Sequence, residues 1–408
     1  MPNTNQPRLL SFTLDDWTVL GGRVSVSLQG GVAVLVGRNG AGKSAILEGF
    51  EAISLWAIGS NRVRQFDEDS IPKILEIEVL TPSDRKLRYR YELLFSANNP
   101  DDIDINNSAN DQTDETQFSW NDLCQYIDGE EEVVWSTKAG FTTFNKHDIS
   151  RFILGNTTSF RQANFPGSLG FKLPDEMEWI YSVLREIRLL GKIPVRRSTK
   201  RNLSLLSSSK RRGIRPISSN GLADILARKI FRRINTGEID ELEKVCQRIG
   251  LGSKITLQLQ TFLSKEEFTE EIRSEDEEYI GSISLDGINI GLLSDGTLRV
   301  LSILIEIVGA HLSATTMIDE PEMHTHPGML ARLLNEIETY TFDENLILAT
   351  QSPQVVAWAK PEVINLVERH QGKTTVRKLQ EQEIQSVVEY LCEEGDLGDW
   401  LYSGVLDE

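Results

Sequence analysis

The sequence predicts an α/β fold: a mixed sheet with flanking helices, an antiparallel β part, and a large α+β insertion. Three observations predict it. The apolar run Val32 to Val36 passes through Gly37-Arg38-Asn39-Gly40-Ala41-Gly42-Lys43-Ser44 into a helical stripe of Ile46, Phe50, Ile53 and Ala57. Two later apolar runs end in polar residues suited to chemistry, one in Asp319-Glu320 and one in Gln351. Period-two alternation flanks the first feature, at Leu10, Phe12 and Leu14 and again from Lys73 to Val79.

The octapeptide Gly37 to Ser44 fits G-x-x-x-x-G-K-[ST] at every fixed position, between a buried strand and an amphipathic helix. Glycines let backbone N–H groups turn toward a phosphate with no Cβ in the way. The following helix start adds partial positive charge and unpaired donors. Lys43 is placed to reach β- and γ-phosphates and Ser44 to ligate Mg²⁺.

Composition sets the bounds. At 408 residues the chain has room for two or three domain-sized units, or for one domain with a large insertion. Apolar content of 39% and charged content of 25% suit a folded soluble protein with a sizeable core. Cys124, Cys246 and Cys392 lie far apart, which argues against a disulfide framework or a cysteine zinc site and fits a reducing cytoplasm. The first residues show no basic-then-apolar leader, and the apolar runs are too short for a membrane span. The expectation is a cytoplasmic protein with no membrane partner. A net charge of −18 excludes nucleic-acid binding through the average field, so any such contact needs a local basic patch.

In order along the chain, Leu10 to Leu28 reads as a hairpin interrupted by Gly21-Gly22. Lys73 to Val79 and Leu87 to Phe95 read as strands about a turn holding Pro82, Ser83 and Asp84. Ser96 to Glu115, rich in Asn and Asp, reads as a mobile surface loop without calcium-loop spacing. Trp120, Phe141, Phe144 and Phe152 suggest a small core. The run EMEWIYSVLREIRLL after Asp175 reads as helix. Lys192 to Arg215 carries nine basic residues and no acid, a candidate patch for nucleic acid or an acidic partner. Few aromatics interleave it, which weakens a single-strand reading. Ser219 to Arg233 and Ile239 to Ile249 form a helical pair, Ile255 to Phe262 a strand, and Ser264 to Glu278 an acidic connection. Asp286-Gly287 marks a hairpin.

The second group of chemistry-bearing residues follows. A loop holding Ser294, Asp295 and Gly296 runs into an apolar helix whose N-terminus offers amides to an anion. At the end of the next strand, Asp319 is suited to hold Mg²⁺ and Glu320 to polarise an attacking water. Pro321 and Pro327 bracket a turn with His324 and His326. Their spacing suggests no third metal ligand. Asn345 to Thr350 is a further strand, closed by Gln351-Ser352-Pro353.

Together these motifs resemble the ATPase heads of the ABC class, within it the SMC and RecF-like branch, and most narrowly the stand-alone bacterial AAA-family ATPases. Gly37 to Ser44 is similar to a Walker A loop, Leu293 to Thr297 to the signature motif in its LSDGT form, and Met317 to Glu322 to Walker B. His326-Pro327 falls at the D-loop and Gln351 at the switch strand. Residues 397–404 also look like this group. The resemblance implies a P-loop NTPase fold, with a split head at residues 1–64 and 280–408 and an insertion at 65–279. Two departures stand out. Gln351 replaces the usual His, which implies slow or partner-dependent turnover, and the motifs place no loop glutamine, for which Gln65 is only a weak match.

The resemblance further implies a head-to-tail nucleotide sandwich. Lys43, Ser44 and Asp319 of one copy bind ATP and Mg²⁺, while Ser294 and Gly296 of a second copy close on the γ-phosphate. Catalysis falls to Glu320, Lys43 and Gln351. The expected partners are a second copy, in a homodimer or higher homo-oligomer, and a separate effector, a nuclease or toxin, as in two-gene anti-phage systems. The alternative is a RecF-like DNA-repair ATPase that uses the segment Lys192 to Arg215.

Overall fold

The computed structural model describes residues 6–59, 70–95, 118–129, 132–138, 141–144, 147–148, 174–190, 205–209, 213–216, 221–261, 279–308, 315–342, 344–380 and 383. In chain order the elements begin with β1 (Arg8–Asp15), β2 (Val24–Ser27), β3 (Val32–Val36) and α1 (Lys43–Ala57). Next come β4 (Ile74–Leu80), β5 (Lys86–Phe95), β6 (Phe118–Tyr126), β7 (Glu132–Lys138), β8 (Phe141–Phe144) and β9 (His147–Asp148). They continue with α2 (Asp175–Arg185), β10 (Ile187–Leu190), β11 (Leu205–Ser209), β12 (Gly213–Pro216), α3 (Leu222–Thr236) and α4 (Ile239–Ile249). After these lie β13 (Ile255–Thr261), β14 (Tyr279–Leu285), β15 (Ile288–Asn289), α5 (Asp295–Ile307) and β16 (Thr315–Asp319). The last are α6 (Pro327–Tyr340), β17 (Asn345–Thr350), α7 (Pro353–Trp358), β18 (Ile364–His370) and β19 (Lys373–Lys378).

The chain forms two compact units: Met1–Leu189 with Leu312–Met317 and Asp343–Glu408, and Leu190–His311 with Ile318–Phe342. The first holds an eight-stranded antiparallel sheet in the order β2-β1-β4-β5-β6-β7-β8-β9. Its register sets Phe12 opposite Val26 on one side and Ile77 on the other, so the apolar alternation of three strands shares one face. The expected boundary at residue 64 falls between strands of this one sheet.

The other sheet runs β10-β16-β17-β3-β18-β19. It is parallel at its centre: Val34 of β3 lies opposite Leu348 of β17 and Ile364 of β18, and β19 returns antiparallel. Strand β16 enters at Thr315, and its last residues, Ile318 and Asp319, belong to the second unit. Ile46, Phe50, Ile53 and Ala57 are all fully buried, which explains why α1 forms: its apolar stripe faces a core that includes Leu75, Ile77, Tyr89 and Trp135. Phe50 stacks on Phe12 at 4.0 Å between ring centroids. A buried phenylalanine of this kind costs about 3–5 kcal/mol when cut to alanine.

Two expectations change here. Trp120 joins this main core instead of a separate small one. The helix after Asp175 ends at Arg185, and Ile187 to Leu190 is a strand. Sheet pairing overrides the helical spacing there.

The second unit holds the sheet β12-β11-β14-β13, with β15 paired to β14 through the Asp286-Gly287 turn. Both turn residues have positive φ, 48° and 80°, as a two-residue hairpin requires. Helices α3 and α4 end at Gly237 and Gly250, both left-handed. Gly221 starts α3 without a side-chain cap. Arg248 of α4 forks onto Glu336 of α6 at 2.7 and 2.8 Å. Within the basic segment, 205–209 and 213–216 pair as a hairpin. The rest of that segment lies outside the described residues, as do Gln65, Phe152, the loops 96–115 and 264–278, and residues 397–404. Among the described residues no helix is long and apolar enough to cross a membrane.

Candidate functional site

In the first unit the site is built on β3. Its buried residues Ala33 to Val36 deliver Gly37 to the carboxyl end of the sheet, where ligands of open α/β folds bind. Gly42 caps α1 with φ 107°, and Gly40 has φ 78°, conformations that favour glycine. No side chain caps α1, and its first turn holds no acidic residue. The amides and partial positive charge of that helix start are therefore presented to an anionic ligand. Lys43 is buried, and its ammonium donates to the carbonyls of Gly37 at 2.7 Å and Arg38 at 3.1 Å. Thr374 of β19 donates to the Ala41 carbonyl at 3.0 Å, fixing the loop from below. Arg38, Asn39 and Gly40 are exposed, and Ser44 is half-buried in the first turn of α1. Gln351 joins them by register: Thr350 pairs with Val36, so both chains leave the sheet side by side.

In the second unit Ser294 is the N-cap of α5, and its Oγ accepts from the Thr297 N–H at 3.1 Å. Asp295 and Gly296 therefore lie in the first helical turn, not in a loop as expected, because the serine cap starts the helix at Asp295. Asp319 closes β16, and Glu320 follows with φ 46°. The amides of Met323 and Thr325 donate to the carbonyls of Glu320 and Glu322, both at 3.0 Å, closing a turn. His326 serves the helix that follows it, because its Nδ1 accepts from Gly328 at 3.2 Å and caps α6.

Arg299 left no motif in the sequence. It is 4% exposed, and its Nη2 donates to the carbonyls of Asp319 at 2.5 Å and Glu320 at 2.9 Å. Burial holds its guanidinium pKa below the usual value, although Asp319, Glu320 and Glu322 pull the other way. The available signal was a lone cation among Leu298, Val300 and Leu301, which are all buried. Thr374, which bonds the Ala41 carbonyl, left no local signal.

Lys43, Ser44 and Gln351 thus gather in the first unit, and Ser294, Gly296, Asp319 and Glu320 in the second. The loop fits a polyphosphate, because its donors are backbone amides at an uncapped helix start and a lysine. Ser44 in the first unit and Asp319 in the second each carry an oxygen of the hard type that Mg²⁺ takes. Among the described residues no group of three metal-ligating side chains occurs.

A glycine loop between a parallel central strand and a helix defines a P-loop NTPase fold. The chain belongs to the family described as "AAA domain, putative AbiEii toxin, Type IV TA system", whose profile matches residues 32–357. This is a P-loop ATPase family. No curated protein matches the sequence. Among solved structures, the chain is similar to the Smc head domain with an extended coiled coil bound to the C-terminal domain of ScpA, from Pyrococcus furiosus. Identity is 15% over 95% of this chain and 100% of that one, with a TM-score of 0.43. The SMC head domain from Thermotoga maritima matches at 15% identity over 91% and 99%, with a TM-score of 0.35.

Proposed function

We propose that this protein binds Mg²⁺-ATP, hydrolyses it, and uses ATP-dependent association of two copies to control a separate effector. The observation that carries this reading is the phosphate loop, where Lys43 and the uncapped start of α1 sit beside Gln351. Lys43 and the amides from Gly37 to Ser44 hold the phosphates. Ser44 and Asp319 offer oxygens to magnesium, which supplies positive charge at the β- and γ-phosphates when bound. Glu320 orients and polarises water, and Gln351 hydrogen-bonds the γ-phosphate or that water without carrying charge. Ser294 and Gly296 of a second copy complete the enclosure, so ATP gains contacts that ADP lacks. The split head at 1–64 and 280–408 with the insertion 65–279 belongs to this proposal. A toxin–antitoxin system in the family description supports an effector in a two-gene defence setting.

The test is phosphate release from ATP by the purified chain, with and without Mg²⁺, alongside Lys43→Ala. Magnesium-dependent release by the wild type and loss of ATP binding in the variant are expected. A wild type that neither binds nor hydrolyses ATP sinks the reading. Stimulation by DNA, steeply weakened by salt, would shift the partner from protein to nucleic acid.

A further inference from the structure

We propose that Arg299 is a positioning residue that holds the Asp319–Glu320 peptide in place for hydrolysis and ties it to the Ser294–Gly296 turn. This rests on the ATPase reading above. Four observations carry it, all within the second unit. A buried guanidinium on a largely apolar helix is costly unless its donors are met. Here Nη2 reaches two main-chain oxygens, those of Asp319 and Glu320, and Nη1 reaches the Met323 sulfur at 3.4 Å, while Nε is buried without a hydrogen-bond partner. The bonds go to the backbone of the dipeptide, so they set where its side chains start. Glu320 is held at φ 46°, a conformation that L side chains rarely adopt and that needs support from its surroundings. Finally, Gly296 and Arg299 stand three residues apart on one helix face. A Cβ on Gly296 would lie 2.1 Å from the His324 carbonyl. One face of α5 therefore closes on both ends of the Asp319–His324 turn, and the signature turn and the carboxylate turn move as one body.

The variants are Arg299→Lys, which keeps the charge but loses the planar fork, and Arg299→Met, which keeps only the stem. Hydrogen exchange of the peptide 319–325 is expected to quicken about tenfold in Arg299→Lys, with α6 unchanged. Turnover is expected to fall about 10- to 100-fold while the Kd for ATP stays within about twofold. Unchanged exchange in Arg299→Lys overturns the proposal. So does a parallel fall in melting temperature and ATP affinity, which would mark a general structural role. Should the wild type fail to hydrolyse ATP, the function proposed above fails, whereas the exchange measurement still decides whether Arg299 fixes the turn.

Discussion

A Cβ added to Gly37 would lie 2.2 Å from the carbonyl oxygen of Val367. The first residue of the phosphate loop therefore runs against the backbone of β18, where no flexible side chain is there to yield. Gly40 makes a useful contrast. It has φ 78°, and a Cβ there would meet nothing within 4 Å. Gly37→Ala is expected to cost about 1–3 kcal/mol through overpacking. Gly40→Ala should cost about 1–2 kcal/mol from left-handed strain, with no shift of β18. Thermal melts rank the two, and exchange at residues 364–370 should quicken in Gly37→Ala alone. Quickening in both variants would remove the distinction.

Glu320→Gln keeps the shape of the side chain and removes its basicity. ATP should stay bound while turnover falls by about 10² to 10⁴. The mass of this variant should double in ATP and Mg²⁺. Wild-type hydrolysis would refute the role given to Glu320, and an ATP-bound monomer would refute the sandwich.

Ser294 plays two parts that substitution can separate. Ser294→Ala loses the cap on the Thr297 amide and should cost about 1 kcal/mol. Ser294→Asp keeps a capping oxygen but adds a negative charge where the sandwich would seat a γ-phosphate. It should melt near the wild type and fail to associate in ATP. Association at the wild-type level would place the γ-phosphate elsewhere.

Glu344 is 7% exposed and accepts from Thr316 Oγ1 at 3.1 Å. Burial is the main cause that pushes its pKa from 4.5 up to about 7; Glu186 adds to the rise, and Thr316 and Arg188 oppose it. The native state then holds a proton that the unfolded chain has released. This group's contribution to stability is complete below about pH 4.5 and is lost as pH rises through about 7. Glu344→Gln mimics the protonated form. Its melting temperature should match the wild type at pH 4 and exceed it at pH 8. A lower value at pH 8 would show an ionised, paired carboxylate.

Local chemistry explains what could be read early. A phosphate loop needs contiguous residues, so Gly37 to Ser44 stands out in the sequence alone. Strand alternation likewise revealed β1, β4 and β5, because one buried face imposes a period of two. Ile187 to Leu190 misled, since a short apolar run satisfies both helix and strand.

By itself the sequence determined the glycine loop, its lysine, the two carboxylates after an apolar strand and the apolar helix that follows Ser294. Each depends on neighbours within a few residues. Tertiary structure alone decided that Thr374 bonds the loop, that Gly37 runs against Val367, that Gln351 leaves the sheet beside it, and that Arg299 holds the Glu320 backbone. Strand order and helix packing bring those partners together from distant positions, and no local spacing records that pairing.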